Sequence, residues 1–330
     1  MYSLIRPLLF KLPPEFAHQL TLTTLALIPA AFFQQNIQGK SVTAMGLSFP
    51  HCVGLAAGFD KNGEYVDALT KLPFAFIEVG TVTPKAQTGN PKPRIFRLIK
   101  DSALINRMGF SNKGAEAMMQ ALSCKKSRGI LGINIGKNKD TPLNKAVEDY
   151  KFCLAKLYHL ADYFALNLSS PNTANLRELQ QVEYLNDLLR ELTKTQQDLA
   201  SKHAKHVPLV IKCSPDETSE TIKHLVASAL KLGIQGIIAT NTTIKRTFLE
   251  DSPLIHEQGG LSGKPLFTVS TEVLKLIKQE AGNSLTLIAS GGVLDSATFK
   301  AKIAAGANLV QVYTGLVYKG PALIKELVQF

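Results

Sequence analysis

The stretch "YFALNLSSPNT" (163–173) decides the fold, because an apolar run ends abruptly in a polar loop. Residues 163–169 have the composition of a buried β-strand, and Pro171 marks the turn that follows. No histidine, carboxylate or cysteine stands beside the two serines. The stretch is therefore either a strand entering a proline turn or a catalytic serine without its usual neighbouring base.

The same pattern of strand, polar loop and helix occurs eight times between residues 46 and 330. Continuous apolar strands that alternate with helices indicate parallel pairing. Eight such units predict a (β/α)8 TIM barrel, which typically needs about 250 residues. A doubly wound open sheet is the alternative, but "AAGFDKNG" after the first strand lacks the GxGxxG phosphate loop. The predicted strands are 53–57, 76–81, 129–135, 163–169, 208–214, 236–241, 285–290 and 309–315, and the predicted helices include 111–123, 143–159, 180–200, 217–232 and 266–281.

The carboxyl ends of all barrel strands meet on one face, where catalysis takes place. In chain order these ends are "AGFDK", "GTVTP", "NIGKN", "NLSSPN", "IKCSP", "ATNTT", "ASGG" and "VYTG". Any one of them alone is more typical of a turn or a helix cap. Together they gather asparagines on one rim, and side-chain amides both donate and accept hydrogen bonds. Such a set suits a flat heterocycle with alternating carbonyl and NH groups, such as an isoalloxazine or a pyrimidine.

Two lysines and several glycines on this rim indicate an anionic ligand. Lys61 and Lys212 stand at or just beyond strand ends, where an unpaired ammonium would be costly to bury. The loops after strands seven and eight are where barrels commonly hold phosphate. The segment "GGLSGK" (259–264) could extend that cradle.

The first 45 residues differ from the rest and predict an amphipathic helical hairpin that precedes a barrel at 46–330. Residues 1–39 carry only Arg6, Lys11 and Glu15 as charges, and "LPP" separates two apolar helical stretches. A helix over 14–28 would be roughly 22 Å long, whereas the hydrocarbon core of a membrane is about 30 Å thick. We expect the hairpin either to pack wholly on the barrel or to present an apolar face to a membrane surface or an apolar ligand.

Composition narrows the classes of function. Four scattered cysteines without a CxxC pair and seven histidines without HxH or HExxH predict neither a disulfide framework nor a metal site. The formal charge is +11, and residues 85–145 hold 13 Lys/Arg against three acidic residues. Nucleic acid, anionic small molecules and an anionic membrane surface are all compatible with that charge.

These strand ends, in this order, closely resemble the dihydroorotate dehydrogenase family over nearly the whole chain. The stretches that carry the resemblance are "GLAAGFDKNGE", "IEVGTVTPKAQTGNPKPRIFRL", "INRMGF", "GINIGKNKDTP", "NLSSPNT", "VIKCSPD", "GIIATNTT", "GGLSGKPL" and "GANLVQVYTG". The hairpin and Ser170 are similar to the membrane-associated, quinone-reducing class; the soluble class has a cysteine as its base and lacks the hairpin. Cys213 beside Lys212, and Ala289-Ser290 before the glycine pair, depart mildly from the pattern without removing a catalytic group.

The resemblance implies an FMN-containing enzyme that oxidises (S)-dihydroorotate to orotate and passes the electrons to a quinone of the ubiquinone type. The enzyme would act in de novo pyrimidine biosynthesis. It would be a monomer bound peripherally to the cytoplasmic face of the inner membrane. A soluble FMN barrel that uses fumarate or NAD is the alternative, and a basic nucleic-acid-binding protein is a remote one.

The resemblance also implies a role for individual residues. Ser170 would be the base, with Thr173 or water relaying the proton outward, and Lys212 would offset negative charge on the flavin. The residues implied to hold FMN are Ala57, Gly58, Thr81, Asn134, Asn167, Lys212, Thr240, Gly263, Gly292, Tyr313 and Thr314. Those implied to bind orotate are Lys61, Asn106, Met108, Gly109, Phe110, Asn172, Asn241 and Thr242. Those similar to quinone-tunnel residues are His18, Arg97 and Tyr313.

Overall fold

The computed structural model describes residues 2–33, 39–126, 129–172, 176–180, 182–247, 249 and 252–329. The strands are β1 Val42–Ala44, β2 Leu47–Phe49, β3 Val53–Leu55, β4 Phe76–Val82, β5 Ile95–Leu98, β6 Ala103–Asn106, β7 Ile130–Ile135, β8 Tyr163–Asn167, β9 Leu209–Lys212, β10 Gly236–Ala239, β11 Gly260–Gly263, β12 Thr286–Ser290 and β13 Leu309–Val312. The helices are α1 Tyr2–Lys11, α2 Pro14–Leu27, α3 Val66–Leu69, α4 Ala115–Ser123, α5 Ala146–Leu157, α6 Val182–His203, α7 Ser219–Lys231, α8 Phe267–Ala281, α9 Ser296–Ala304, α10 Thr314–Lys319 and α11 Ala322–Val328.

A closed parallel barrel forms the centre of the protein. Its strands follow chain order, β3-β4-β7-β8-β9-β10-β12-β13, and β13 pairs back with β3. These are the eight predicted strands, so the predicted (β/α)8 barrel is confirmed. Several strands are shorter than predicted: β8 ends at Asn167 rather than at residue 169, because the chain leaves the ladder to form the rim loop.

The barrel strands are continuously apolar because both of their faces are covered. Along β8, Phe164 and Leu166 belong to the layer between strands and helices, which includes Tyr150 and Leu154 of α5. The alternating residue Tyr163 belongs to a second cluster inside the barrel. This alternation between two buried layers is the pattern of a filled barrel. The members of the inner cluster are Ala44, Phe49, Ala75, Phe76, Tyr163, Ala165, Val210, Ile238, Ile288 and Leu309.

The predicted helical hairpin is formed by α1 and α2, with the break at "LPP" as expected. Arg97 of β5 donates hydrogen bonds to the carbonyls of Phe10 (3.1 Å) and Leu12 (2.8 Å), which satisfies the end of α1. Lys71 does the same for α2, since its Nζ lies 2.7 Å from the carbonyl oxygen of Ile28. Cationic side chains outside the hairpin, one from β5 and one from the loop after α3, therefore hold both helix ends. The division of the chain at residue 45 remains a prediction.

The hairpin has an exposed apolar side. Helix α1 buries none of its side chains completely, and α2 buries only Ala17, Leu22 and Leu25. In the described part of the chain, no helix combines the length and apolarity that a membrane crossing needs.

A three-stranded antiparallel sheet, in the order β11-β6-β5, stands beside the barrel and was not predicted from the sequence. It joins the long loop after β4 to the loop after β10, and it pairs Asn106 with Gly260. A Cβ on Gly263 would lie 2.3 Å from the carbonyl oxygen of Ser102, so only glycine permits this pairing at that end. The short strands alternate poorly in polarity, so β5 and β6 give no clear local signal although they are neighbours in sequence. The partners in β6 and β11 are about 150 residues apart, and a local pattern could not reveal that pairing.

Candidate active site

A cavity opens at the carboxyl ends of the barrel strands, with the antiparallel sheet as one wall. Ser170 and Lys212 both line it. So do the residues predicted to bind the cofactor or the substrate, namely Ala57, Gly58, Lys61, Thr81, Asn106, Met108, Gly109, Phe110, Asn167, Asn172, Thr240, Asn241, Thr242, Gly263, Gly292, Tyr313 and Thr314. Asn134 is absent from the wall, and Thr173 lies outside the described residues. The sequence therefore located this inner cavity through residues as far apart along the chain as Ala57 and Thr314.

Asn134 lies behind the cavity wall and orients side chains that line it. Its Nδ2 donates to Glu78 (2.9 Å), which leaves its Oδ1 to accept from Thr81 (2.5 Å) and Asn167 (3.2 Å). The Oδ1 of Asn167 in turn accepts from Nδ2 of Asn241 (3.2 Å). Because the carboxylate of Glu78 can only accept, it fixes the orientation of the whole amide chain.

Glu78 is the residue of this network that the strand-end reasoning missed. It is fully buried inside the barrel, and its carboxylate accepts from Tyr163 (2.9 Å), Gln311 (2.7 Å) and Asn134. Burial and the nearby carboxylate raise the pKa of Tyr163 well above its usual value, so Tyr163 stays a donor. The sequence did contain a sign of this buried network, because a glutamate interrupts the apolar strand "FIEVGT" and a glutamine interrupts "LVQVYTG".

Lys212 places an ammonium without a partner at the cavity floor. It is 7% exposed at the end of β9, and its side chain makes no hydrogen bond or ion pair with the described part of the chain. Burial lowers its pKa, while the charge of Glu78 acts in the opposite direction. Gln311 also lines this cavity, and its buried Oε1 has no donor among the described residues. Since buried polar groups are almost always paired, both atoms indicate a ligand with acceptor and donor groups.

The opposite end of the inner cavity is a cradle of glycines. Gly263, Gly291 and Gly292 all have positive φ and line it. A Cβ on Gly292 would lie 2.3 Å from Cα of Phe267, the first residue of α8. This close approach brings backbone N–H groups and a helix start to one place, which is the arrangement that binds phosphate.

Ser170 and Lys61 both line the inner cavity. The Oγ of Ser170 accepts a hydrogen bond from the N–H of Asn172 (3.3 Å), and the residue is 7% exposed. The Nζ of Lys61 donates to the carbonyl of Gly58 (2.9 Å), and burial lowers the pKa of its ammonium to about 8. Asn172 reaches Asn106 across the cavity (3.4 Å). A carboxylate bound here would raise the pKa of Lys61 again and favour its charged form further.

A second, larger cavity of about 1130 Å³ lies between the hairpin and the barrel. His18, Arg97 and Tyr313, the predicted quinone-site residues, all line it. The Nε2 of His18 lies 2.7 Å from the carbonyl oxygen of Phe59, so Nε2 carries the proton. Burial lowers the pKa of His18 to about 4, which keeps the imidazole neutral at pH 7.

The two cavities share a wall. The side chains that line both are those of Lys61, Ile95, Leu104, Met108 and Tyr313. The ring of Tyr313 contacts Phe59 edge-on (5.3 Å between centroids), and Phe59 contacts His18 in the same way (4.9 Å). A polar compartment and an apolar one are thus separated by a single layer of side chains.

Comparison with known proteins agrees with this architecture. The family model described as "Dihydroorotate dehydrogenase" matches residues 40–329. A "Dihydroorotate dehydrogenase (quinone)" of Legionella pneumophila (strain Lens) is 56% identical over 328 residues, which are 99% of this chain and 98% of the relative. The protein of the same name from Acinetobacter baumannii (strain AYE) is 50% identical over 330 residues, 100% of this chain and 99% of the relative. The crystal structure of DHODH from Eimeria tenella in complex with ferulenol superposes with a TM-score of 0.88 at 38% identity, covering 96% of this chain and 90% of that one.

Proposed function

Because this chain belongs to the dihydroorotate dehydrogenase family, we propose that it oxidises (S)-dihydroorotate to orotate and passes the electrons to a quinone, as a step of pyrimidine biosynthesis. The observation that carries this proposal is the wall shared by the polar and apolar cavities. Two substrates of opposite polarity can then use one redox group without meeting.

FMN fits the inner cavity. The ammonium of Lys212 and the side-chain carbonyl of Gln311, which have no partner in the described part of the chain, would face the ring, with Thr81, Asn167 and Thr240 beside them. The glycine cradle at Gly263, Gly291 and Gly292 would hold the phosphate, with Tyr313 and Thr314 at its edge, while Ala57 and Gly58 would pack on the ring and ribityl chain. Asn134 would act through Thr81 and Asn167, since it lies behind them. When bound, FMN would supply the acceptor for the substrate hydride and the path of electrons to the quinone.

Ser170 would remove the proton from C5 of dihydroorotate. A serine hydroxyl is poorly matched to neutral pH as a base, so proton removal has to be coupled to departure of the hydride. The hydrogen bond from the N–H of Asn172 orients Oγ of Ser170 and stabilises negative charge on it. Thr173 or a water molecule would relay the proton outward.

The substrate would be held on its polar edges. Lys61 would pair with the carboxylate of orotate, and Asn106, Asn172 and Asn241 would match the carbonyl and N–H groups of the pyrimidine ring. Met108, Gly109, Phe110 and Thr242 would complete the walls. The fixed amide orientations favour this ring over one with the opposite order of donors and acceptors.

The hairpin would bind a membrane surface and admit the quinone. Its exposed apolar side chains offer an apolar face for the lipid boundary. They include Leu4 (79% exposed), Leu8 (64%), Phe16 (58%), Leu27 (80%) and Phe32 (76%). The apolar cavity behind this face, with neutral His18 and with Arg97 and Tyr313 in its wall, suits a ring with carbonyl acceptors. We place the protein as a monomer, peripherally on the cytoplasmic face of the inner membrane, with a ubiquinone-type acceptor.

Side-by-side comparison of electron acceptors tests this function. With dihydroorotate present, we expect turnover with a ubiquinone analogue to exceed that with fumarate or NAD by at least about 100-fold, since the many apolar side chains that line the larger cavity favour a quinone over a dicarboxylate or a dinucleotide. Orotate formation is followed by its absorbance. Equal or faster turnover with fumarate or NAD would instead favour a soluble type of enzyme.

A further inference from the structure

Lys302 of α9 is a buried lysine that the proposed reaction does not use. Its side chain is 0% exposed, and it forms no ion pair with any carboxylate in the described ranges. Its Nζ donates to Oγ of Ser270 (2.6 Å) and lies 5.2 Å from the ring centre of Phe267. Burial alone lowers the pKa of Lys302 to about 7. An ammonium in such a place is costly unless a negative charge stands nearby.

The contacts of Lys302 lead directly to the glycine cradle. Ser270 stands in the first turn of α8, and its Oγ lies 3.1 Å from the carbonyl oxygen of Gly291. The carbonyls of Leu266 (2.8 Å) and Phe267 (3.1 Å) are the other acceptors within its reach. All three carbonyls belong to the backbone that packs around Gly292, whose absent Cβ would meet Phe267. The ammonium of Lys302 therefore lies behind the cradle, and the hydroxyl of Ser270 connects the two.

This arrangement would affect an anion in the cavity in two ways. An anion in the cavity raises the pKa of Lys302 and so favours its charged form. The positive charge then attracts the anion through a protein layer that excludes water, where charges interact more strongly than in solvent. The carbonyl of Gly291 and the N–H of Gly292 are parts of the same peptide group. The hydroxyl of Ser270 has one proton to donate among its three carbonyl acceptors. When that proton goes to Gly291, the ammonium behind the hydroxyl strengthens the bond, polarises the peptide group and makes the N–H a better donor.

We propose that Lys302 is a positioning residue for the phosphate of the cofactor. It acts through Ser270 and the Gly291–Gly292 loop, and it supplies the positive charge that the described cavity wall lacks at its phosphate end. The proposal rests on the assignment of FMN to the inner cavity. Among the described residues, no lysine or arginine lines the glycine cradle, and Lys302 would then explain how its backbone groups hold a dianion.

The test compares FMN with riboflavin, which has the same ring and lacks the phosphate. Flavin is removed from the full-length protein, and rebinding of each flavin is measured by fluorescence quenching in wild type and in Lys302→Met. We expect the variant to bind FMN roughly tenfold more weakly while its affinity for riboflavin changes less than about threefold. Phe299→Leu, a packing change on the same helix, is the matched control and should alter both affinities equally.

The possible outcomes separate the inference from the proposed function. If Lys302→Met lost affinity equally for FMN and riboflavin, or lost affinity for neither, Lys302 would serve only in the packing of α9 on α8. If Lys302→Met does not fold, Ser270→Ala tests the same link, with an expected selective loss for FMN of about threefold; an unselective effect there would likewise overturn the inference. Wild type that binds neither flavin would contradict the proposed function itself.

Discussion

Replacing Ser170 with alanine should slow the oxidation of dihydroorotate by about 10²–10⁴-fold, the range that a positioned acid–base group contributes. The hydroxyl that accepts from Asn172 would be lost, and no other side chain with a free base is placed at that point of the described cavity wall. Flavin binding should be unchanged, because the proposed FMN contacts at Lys212, Thr81 and Asn167 do not involve Ser170. The measurement is the rate of flavin bleaching after anaerobic mixing with dihydroorotate.

Ser170→Cys provides the matched control for that variant. A thiol of nearly the same size can take up a proton, and its pKa is closer to neutral than that of a serine hydroxyl. We expect bleaching to recover well above the alanine rate and to rise with pH as the thiolate forms. If Ser170→Ala bound FMN normally and bleached at the wild-type rate, Ser170 would not be the base.

Deleting residues 1–40 should abolish quinone reduction and membrane binding while leaving flavin reduction by dihydroorotate measurable. The deletion removes His18 and one side of the apolar cavity, whereas every proposed contact to substrate and flavin lies beyond residue 40. The substrate half-reaction is measured by anaerobic bleaching, the quinone half-reaction by recovery of the flavin absorbance, and membrane binding by flotation with anionic vesicles. Unchanged quinone turnover after the deletion would show that the hairpin does not form the quinone site.

A double substitution separates membrane docking from cavity formation. Leu4 and Leu8 are 79% and 64% exposed, so Leu4→Glu with Leu8→Glu leaves the buried side of the hairpin intact. We expect this variant to lose vesicle binding and yet to turn over a water-soluble quinone analogue at close to the wild-type rate. Loss of turnover with the soluble analogue would mean that these side chains serve the cavity rather than the membrane.

The parts of the fold that could be predicted from the sequence are those with local signals. Each barrel strand is a short apolar run followed by a polar loop, and the closed topology then places all the loops on one face. The residues at strand ends, such as Asn167 and Lys212, could therefore be assigned to one cavity before any contact was known. Asn134 shows the limit of that reasoning, because a strand-end position does not tell whether a side chain lines the cavity or stands behind its wall.

Features built from distant segments could not be predicted in this way. The β11-β6-β5 sheet pairs residues from two separate loops, and each strand alone is too short to have a clear period. Glu78, Tyr163 and Gln311 come from three strands and form a network only because the barrel closes. Lys302 likewise looks like an ordinary helical lysine in "FKAKIAAG", and only packing shows that it is buried behind the cradle.

One measurement tests the two-cavity mechanism most directly, namely flavin absorbance in a sequential anaerobic mixing experiment. Purified protein is mixed first with dihydroorotate and then with a ubiquinone analogue. The visible absorbance band of the flavin should bleach in the first step with formation of orotate and return in the second. A yellow protein whose band fails to bleach with dihydroorotate, or bleaches and does not recover with quinone, would contradict it.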